Sequence, residues 1–213
     1  ATEEICVPIL EKYSKLKPNK EFFYGYSPER INPSDKKHKI ENIVKVVSGS
    51  TKHTSREINN IYSKVIKKTF MASSIKAAEA AKVIENTQRD INIALMNELS
   101  KFFAMIDLNT KDVLDAANTK WNFINFKPGL VGGHCIGVDP YYLTHKMHQV
   151  GYIPKLVLSG REVNESMSKD VVSRVMKLMS KKKILKYDAK ILVLGFTFKE
   201  NCNDFRNTKV GEI

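Results

Sequence analysis

Apolar residues recur at helical spacing along parts of this chain and gather in short continuous runs of strand type elsewhere. Ile5, Ile9, Leu10 and Tyr13 fall at helical intervals and predict a helix from Glu3 to Leu16, ended by Pro18. Phe22 to Tyr26 is an aromatic run of strand type, and Ser27-Pro28-Glu29-Arg30-Ile31-Asn32-Pro33 is a proline-punctuated loop. A Lys-rich polar stretch leads to a second, β-branched strand, Ile43 to Val47, ending at Ser48-Gly49-Ser50. Thr54 or Ser55 then caps a helix carrying Ile58, Ile61, Tyr62, Val65 and Ile66. Helix, strand, loop, strand and helix in this order fit part of an α/β sheet.

From about Ser74 the pattern changes. Ala80, Ile84, Ile91, Ala94, Leu95, Leu99, Phe102, Phe103 and Ile106 keep a helical period, and no Gly or Pro interrupts Ala77 to Asn109. A helix from Ala77 to Ile106 would be about 45 Å long at ~1.5 Å per residue, a length typical of helices that join domains or subunits. A shorter helix, Thr110 to Asn118, and an irregular segment, Trp121 to Gly129, lead to Gly132-Gly133-His134-Cys135-Ile136-Gly137-Val138-Asp139-Pro140. Asp-Pro reads as a helix start, with Asp139 as N-cap and Pro140 in the first helical position, and Gly151 as the stop. A further helix is predicted from Gly160 to Lys181, with Val163, Met167, Val171, Val175, Leu178 and Met179 on one side. Lys190 to Phe196 is a continuous apolar run of the sort found in a buried parallel strand. So little chain follows it that a last domain would only have begun, and the sequence reads as a fragment.

Composition narrows the class. With 213 residues, 42% hydrophobic and 27% charged, the chain is of ordinary globular type. No apolar run reaches membrane-span length, and the acidic Ala1-Thr2-Glu3-Glu4 is unlike a signal peptide. Three distant cysteines, Cys6, Cys135 and Cys202, argue against a disulfide framework or zinc site and for a reducing cytoplasm. The net charge of +12 calls for anionic surroundings: nucleic acid, an anionic membrane surface or a phosphate-bearing small molecule. The lysines are spread out, and no aromatic-interleaved basic stripe accompanies them, so a solvated Lys-rich surface outranks nucleic acid.

Cys135 stands on a glycine-rich loop just ahead of a helix N-terminus, where negative charge is favoured, as a thiolate nucleophile requires. The alternative is a small buried hydrophobe in a tight turn. Lys82 and Asn86, at i and i+4, share one helix face, which is either functional or merely solvated. Asp139 can serve as a cap alone, and Glu29 beside Arg30 as a weak loop ion pair. His134 adjoins Cys135, but sequence neighbours rarely face each other. His145 and His148 lack a third partner for a metal, so no metal is expected.

Three separated motifs carry a family resemblance: Ser27 to Pro33; Ala80 to Thr87 with Asn97-Glu98-Leu99; and the Gly132 to Tyr142 loop. In this order and spacing the chain resembles the nucleotide-sugar 6-dehydrogenases, relatives of UDP-glucose dehydrogenase. Leu194 to Lys199 with Asp204-Phe205-Arg206 resembles the opening of that family's C-terminal nucleotide-binding domain. The wording Cys135-Ile-Gly-Val-Asp-Pro-Tyr-Tyr-Leu143 is closer to the branch acting on UDP-N-acetylhexosamines than to the glucose branch. Val138 and Pro33 differ from some members.

The resemblance implies a fold and a chemistry. The fold is α/β with a mainly α-helical middle domain. Residues 1–75 would be the C-terminal part of a Rossmann NAD domain and 76–182 a helical dimerisation domain with the cysteine loop. Residues 183–213 would begin a second, UDP-binding Rossmann-like domain. The Gly-x-Gly-x-x-Gly that cradles NAD in such enzymes does not occur in the sequence, so the chain alone is expected to be catalytically silent. The implied reaction is NAD-dependent, two-step oxidation of a sugar C6 alcohol to a carboxylate. Cys135 would attack the aldehyde, Lys82 and Asn86 would hold the developing negative oxygen, Asp139 would assist proton transfer, and Glu29 would activate water. Arg30, Phe126, Lys127, Gly132, Gly133 and Lys199 would contact the UDP-N-acetylhexosamine, and Arg206 the NAD. The implied assembly is a homodimer through the long helix, cytoplasmic, without nucleic acid or membrane, supplying a surface polysaccharide. From other classes, a helical dimerisation or binding module without chemistry, and a cysteine hydrolase using Cys135, remain as alternatives.

Overall fold

The computed structural model describes residues 1–32, 35, 37–187 and 189–213. Pro33, part of the first motif, lies outside the described residues. Contacts divide the chain into two compact units, Ala1–Ile84 and Glu85–Ile213.

The first unit is a small α/β layer. A π-helical turn, Thr2–Cys6, runs into helix α1, Val7–Ser14. Strand β1 is only Gly25–Tyr26, shorter than the aromatic run suggests. Strand β2 is Lys45–Gly49, α2 is Lys52–Ser63 and β3 is Thr69–Met71. The sheet order is β1-β2-β3; β1 pairs antiparallel with β2, and β3 pairs parallel with it in the register Lys45↔Thr69, after the α2 crossover. The sequence reading missed β3, because three residues are too few to show a period.

Two glycines let α2 sit against the sheet. A Cβ on Gly25 would stand 2.1 Å from Ile58 Cδ1, and one on Gly49 2.5 Å from the Ser55 nitrogen. The α2 cap is Thr51, whose side chain accepts from the Thr54 amide at 3.0 Å. Thr54 and Ser55 are therefore inside the helix, three and four positions beyond the cap.

Helix α3, Ile75–Met105, matches the expected long helix and crosses from the first unit into the second. Its composition misleads about its buried face. In the second unit the buried positions are Thr87, Asp90, Ala94, Met96, Asn97 and Ser100, while Leu95 and Phe102 are half exposed, as is Ile84 at the end of the first unit. Small and polar residues form the inner stripe because another helix approaches closely there. A Cβ on Gly160 would sit 3.5 Å from Ile91 Cγ1 and 3.7 Å from Ala94 Cβ.

The remaining helices are α4, Thr110–Ala117; α5, Asp139–Gln149; α6, Lys155–Glu165; and α7, Met167–Lys181. The single helix expected over 160–181 is two. It breaks at Ser166, whose hydroxyl donates to the Val163 carbonyl and accepts from Lys101 Nζ at 2.7 Å. Gly160 is not its start; it lies inside α6, close to Ile91 and Ala94 of α3.

Lys190–Phe196 forms no strand, and Leu192 and Leu194 are 80% and 85% exposed. A strand exists through ladder bonds to a neighbour, and among the described residues none pairs with this run. Beyond it, residues 196–212 fold back onto the cysteine loop and end in a 3₁₀ turn, Val210–Glu212.

Candidate active site

In the first unit the Ser-Pro-Glu-Arg segment is held against β2. Ser27 Oγ donates to the Val46 carbonyl at 2.6 Å, and Lys45 Nζ donates to the Pro28 carbonyl at 2.8 Å from beside the Tyr62 ring. Lys45 is buried and Pro28 fully so. Arg30 donates to the Val44 carbonyl at 3.2 Å. The Glu29 carboxylate accepts the Ile31 amide from its own loop and is exposed. Lys82 is half-buried on α3 in the same unit.

In the second unit the cysteine loop is a succession of turns feeding α5. The Cys135 carbonyl accepts from the amides of Val138 at 3.1 Å and Asp139 at 2.8 Å. The thiol residue thus lies one helical turn ahead of Asp139, half-buried, at the N-terminal end of α5. The expected cap is corrected: Val138 occupies the N-cap position with no side-chain bond, and Asp139 is already helical. Its carboxylate faces α3 instead. Buried, it accepts from Asn86 Nδ2 at 2.7 Å.

Two of the loop's three glycines, Gly132 and Gly133, are needed by the chain itself. Gly133 has φ +81°, a left-handed conformation that disfavours any side chain, and the Phe198 ring lies 3.0–3.3 Å from where its Cβ would be. A Cβ on Gly132 would stand 2.7 Å from Phe198 Cβ and 2.9 Å from the Asn207 carbonyl. Asn207 Nδ2 donates to the Gly133 carbonyl at 3.2 Å. Phe198 and Asn207 of the folded-back segment thus pack directly on both glycines.

The His134 Nδ1 stands 3.7 Å from Asp204 Oδ2. Asp204 is gripped by Arg206, whose Nε lies 2.9 Å from Oδ1 and 3.0 Å from Oδ2. The Arg206 hydrogen bonds hold the Asp204 carboxyl at about 2, far below its ordinary value. Arg206 in turn is held above its usual value, first by that hydrogen bond and charge, with smaller contributions from Cys202 and Cys135. Phe126 and Lys199 are half-buried, and Lys127 is exposed. No group of three His, Cys, Asp or Glu among the described residues could hold a metal, and no helix is long and apolar enough to cross a membrane.

Sequence reasoning missed a buried polar cluster behind the loop. Asp90, Asn97, Arg161 and Asn164 are each at most 3% exposed. Arg161 donates to Asp90 Oδ1 at 2.7 Å and also bonds Glu165. Asn164 Nδ2 donates to Asp90 Oδ1 at 2.7 Å and to the Asp90 carbonyl at 2.9 Å. Burial pushes the Asp90 carboxyl up, while the Arg161 charge opposes that shift. A cavity of about 260 Å³ lies between cluster, loop and folded-back segment, with Gly132, Gly137, Tyr141, Arg161, Glu165 and Lys209 in its wall.

Residues 76–166 match the central domain of the UDP-glucose/GDP-mannose dehydrogenase family. The chain is 60% identical over 211 residues to Protein CapL of Staphylococcus aureus, covering 99% of this chain and 50% of that protein. It is 58% identical over 214 residues to the UDP-N-acetyl-D-glucosamine 6-dehydrogenase of Pseudomonas aeruginosa, covering 100% of this chain and 51% of that protein. Among solved structures, the UDP-D-ManNAc dehydrogenase of Pyrococcus horikoshii superposes with a TM-score of 0.90 at 27% identity, over 100% of this chain and 50% of that one. The chain spans about half the length of the curated relatives it matches.

Proposed function

From the premise that the chain belongs to the UDP-glucose/GDP-mannose dehydrogenase family, we propose that it is the thiol-bearing half of an NAD-dependent 6-dehydrogenase. Its substrate is a UDP-N-acetylhexosamine, oxidised at C6 to the uronic acid, in the cytoplasm, for surface polysaccharide synthesis. The domain borders follow the sequence reading: residues 1–75 belong to the NAD domain, 76–182 to the helical domain and 183–213 to the start of the UDP domain. The observation that carries the proposal is the partly buried Asn86–Asp139 hydrogen bond one helical turn from Cys135.

Taking an alcohol to a carboxylate removes four electrons, so the aldehyde must be held between two hydride departures. Cys135 supplies the covalent hold: its sulfur bonds to C6 and the aldehyde oxygen takes a proton, giving a thiohemiacetal. Loss of hydride from that carbon leaves a thioester, and water attack expels the thiolate and yields the acid. Asn86 donates toward the oxygen that gains charge, Lys82 brings a positive charge, and Asp139 relays the proton. Glu29 activates the water. Arg30, Phe126, Lys127, the backbone of Gly132 and Gly133, and Lys199 are assigned to the sugar nucleotide.

NAD would accept the two hydrides. Of its contacts only Arg206 is assigned in this chain, and that guanidinium is already engaged by Asp204. The residues described build no pyrophosphate cradle of their own, which in this chemistry is a glycine-rich turn at a helix N-terminus. We further assign the half-exposed Leu95, Phe102 and Ile84 of α3 to a homodimer contact.

The test is NADH formation from UDP-N-acetylglucosamine, -galactosamine and -mannosamine, by this chain and by a version extended at both ends. Turnover is expected only from the extended protein. Cys135→Ser in that protein should stall after the first oxidation, and undiminished acid production from it would end the proposal.

A further inference from the structure

The buried cluster touches the cysteine loop at both of its ends. On the entry side, Asn97 treats Gly129 as a strand neighbour would. Its Oδ1 accepts the Gly129 amide at 2.8 Å, and its Nδ2 donates to the Gly129 carbonyl at 3.0 Å. The glycine has no steric reason to be there, since a Cβ on it would meet nothing within 4 Å. It is the backbone of residue 129 that is gripped. On the exit side, the Arg161 guanidinium stacks over the Tyr141 ring at 5.3 Å, two residues past Asp139.

The two grips are joined through one polarity chain. An ionised Asp90 only accepts, so Asn164 turns its Nδ2 toward it and its Oδ1 away. That Oδ1 accepts from Asn97 Nδ2 at 2.8 Å, which fixes which end of the Asn97 amide meets each backbone group of Gly129. The same Asp90 oxygen anchors Arg161. Both ends of the loop are therefore registered against a single carboxylate in the middle of α3.

We infer that Asp90, Asn97, Asn164 and Arg161 form a clamp that fixes the Cys135 loop at Gly129 and at Tyr141, with Asn97 and Arg161 as positioning residues for the thiol. The catalytic sense of this clamp rests on the proposed role of Cys135; its mechanical sense does not.

Amide hydrogen exchange on this chain, followed by NMR, separates the two. In Asn97→Leu the Gly129 amide should exchange about ten-fold faster or more, with the α5 interior around Thr144 unchanged. In Tyr141→Leu, exchange should rise over residues 137–139 and not at Gly129, whereas Tyr141→Phe keeps the ring and the parental pattern. Asn92→Ala is the control, since Asn92 bonds only the Gln88 carbonyl of its own helix. Alkylation of Cys135 relative to Cys202 should change in the two leucine variants and not in the other two. An unchanged Gly129 amide in folded Asn97→Leu, or a uniform rise across the second unit, overturns the clamp. If Asn97→Leu does not fold, the Tyr141 pair decides: equal behaviour of Leu and Phe overturns it. Local exchange changes in a protein whose extended form makes no NADH would keep the clamp and remove the dehydrogenase reading.

Discussion

Asn86 on α3 and Asp139 in the first turn of α5 meet through one hydrogen bond of 2.7 Å, with the carboxylate only 8% exposed. A buried carboxylate that loses a donor keeps its desolvation penalty without the compensation. Asn86→Leu is therefore expected to destabilise the chain by about 1–3 kcal/mol. Urea denaturation of parent and variant measures it, and Asn86→Asp, which opposes two carboxylates, should cost more. Equal midpoints for parent and Asn86→Leu would show that the contact carries no stability.

Asp90 and Arg161 face each other with almost no exposure, so each charge depends on the other. Breaking such a pair from one side typically costs about 3–5 kcal/mol, because the remaining charge is buried alone. Asp90→Leu should fall at the lower end, since Glu165 still meets Arg161. Asp90→Leu combined with Arg161→Met should cost less than the sum of the two single variants. The pH dependence has a definite sign. Burial raises the Asp90 carboxyl, so the folded state binds its proton more readily than the unfolded chain does. Stability from this group therefore falls as pH climbs from the ordinary carboxylate value to the raised one. Additive single and double variants in denaturant titrations would show the pair to be uncoupled.

Much of this was legible in the residues and some was not. Helices α3, α4 and α5 follow from apolar period and from the Asp139-Pro140 step, and the Cys135 to Asp139 spacing already places them one turn apart. The buried face of α3 was not legible, because hydrophobicity marks Leu95 and Phe102 while packing selects Ala94, Asn97 and Ser100. Lys190–Phe196 has strand composition but no strand beside it, and a ladder is a property of two segments. Asn97 entered only as part of the Asn97-Glu98-Leu99 motif and Asn164 gave no signal, since what they recognise is the backbone of Gly129 and Asp90. The small residue at Gly160, read as a helix start, was the one trace of the close α3–α6 approach.

The Asp204–Arg206 grip gives an acid-range prediction. A carboxyl held at about 2 contributes stability that is complete above its unfolded value and is lost as pH falls through the folded one. The window therefore runs from about pH 4 down to about pH 2. Arg206→Gln should raise the Asp204 carboxyl toward its ordinary value, read from its carboxyl carbon shift in an NMR titration. An unmoved titration would assign the shift to another group.

Helix α3 leaves Ile84, Leu95, Phe102 and Met105 between 50% and 84% exposed. Apolar side chains at this density on one helix favour a covered state, and a second copy covers both at once. Sedimentation of the chain should show a dimer at micromolar concentration, and Leu95→Glu with Phe102→Glu should shift it toward monomer. A monomer at tens of micromolar in the parent would remove the dimer assignment.

Cys135 and Cys202 are both half-buried, whereas Cys6 is exposed, so exposure and reactivity make opposite predictions. If access alone governs alkylation, Cys6 reacts first and the other two follow together. If the end of α5 and the nearby Arg206 favour the thiolate, Cys135 overtakes both, because the thiolate is the reacting form. Iodoacetamide labelling of the folded chain, resolved by peptide mass, should therefore modify Cys135 ahead of Cys6 and Cys202 at neutral pH. Arg206→Gln should slow Cys135 more than Cys6, whose surroundings do not change. In urea the three rates should converge, since the helix end and the arginine no longer act. Cys6 reacting first in the folded chain, with Cys135 and Cys202 alike, would mark Cys135 as an ordinary thiol and take away the nucleophile on which the proposed chemistry depends.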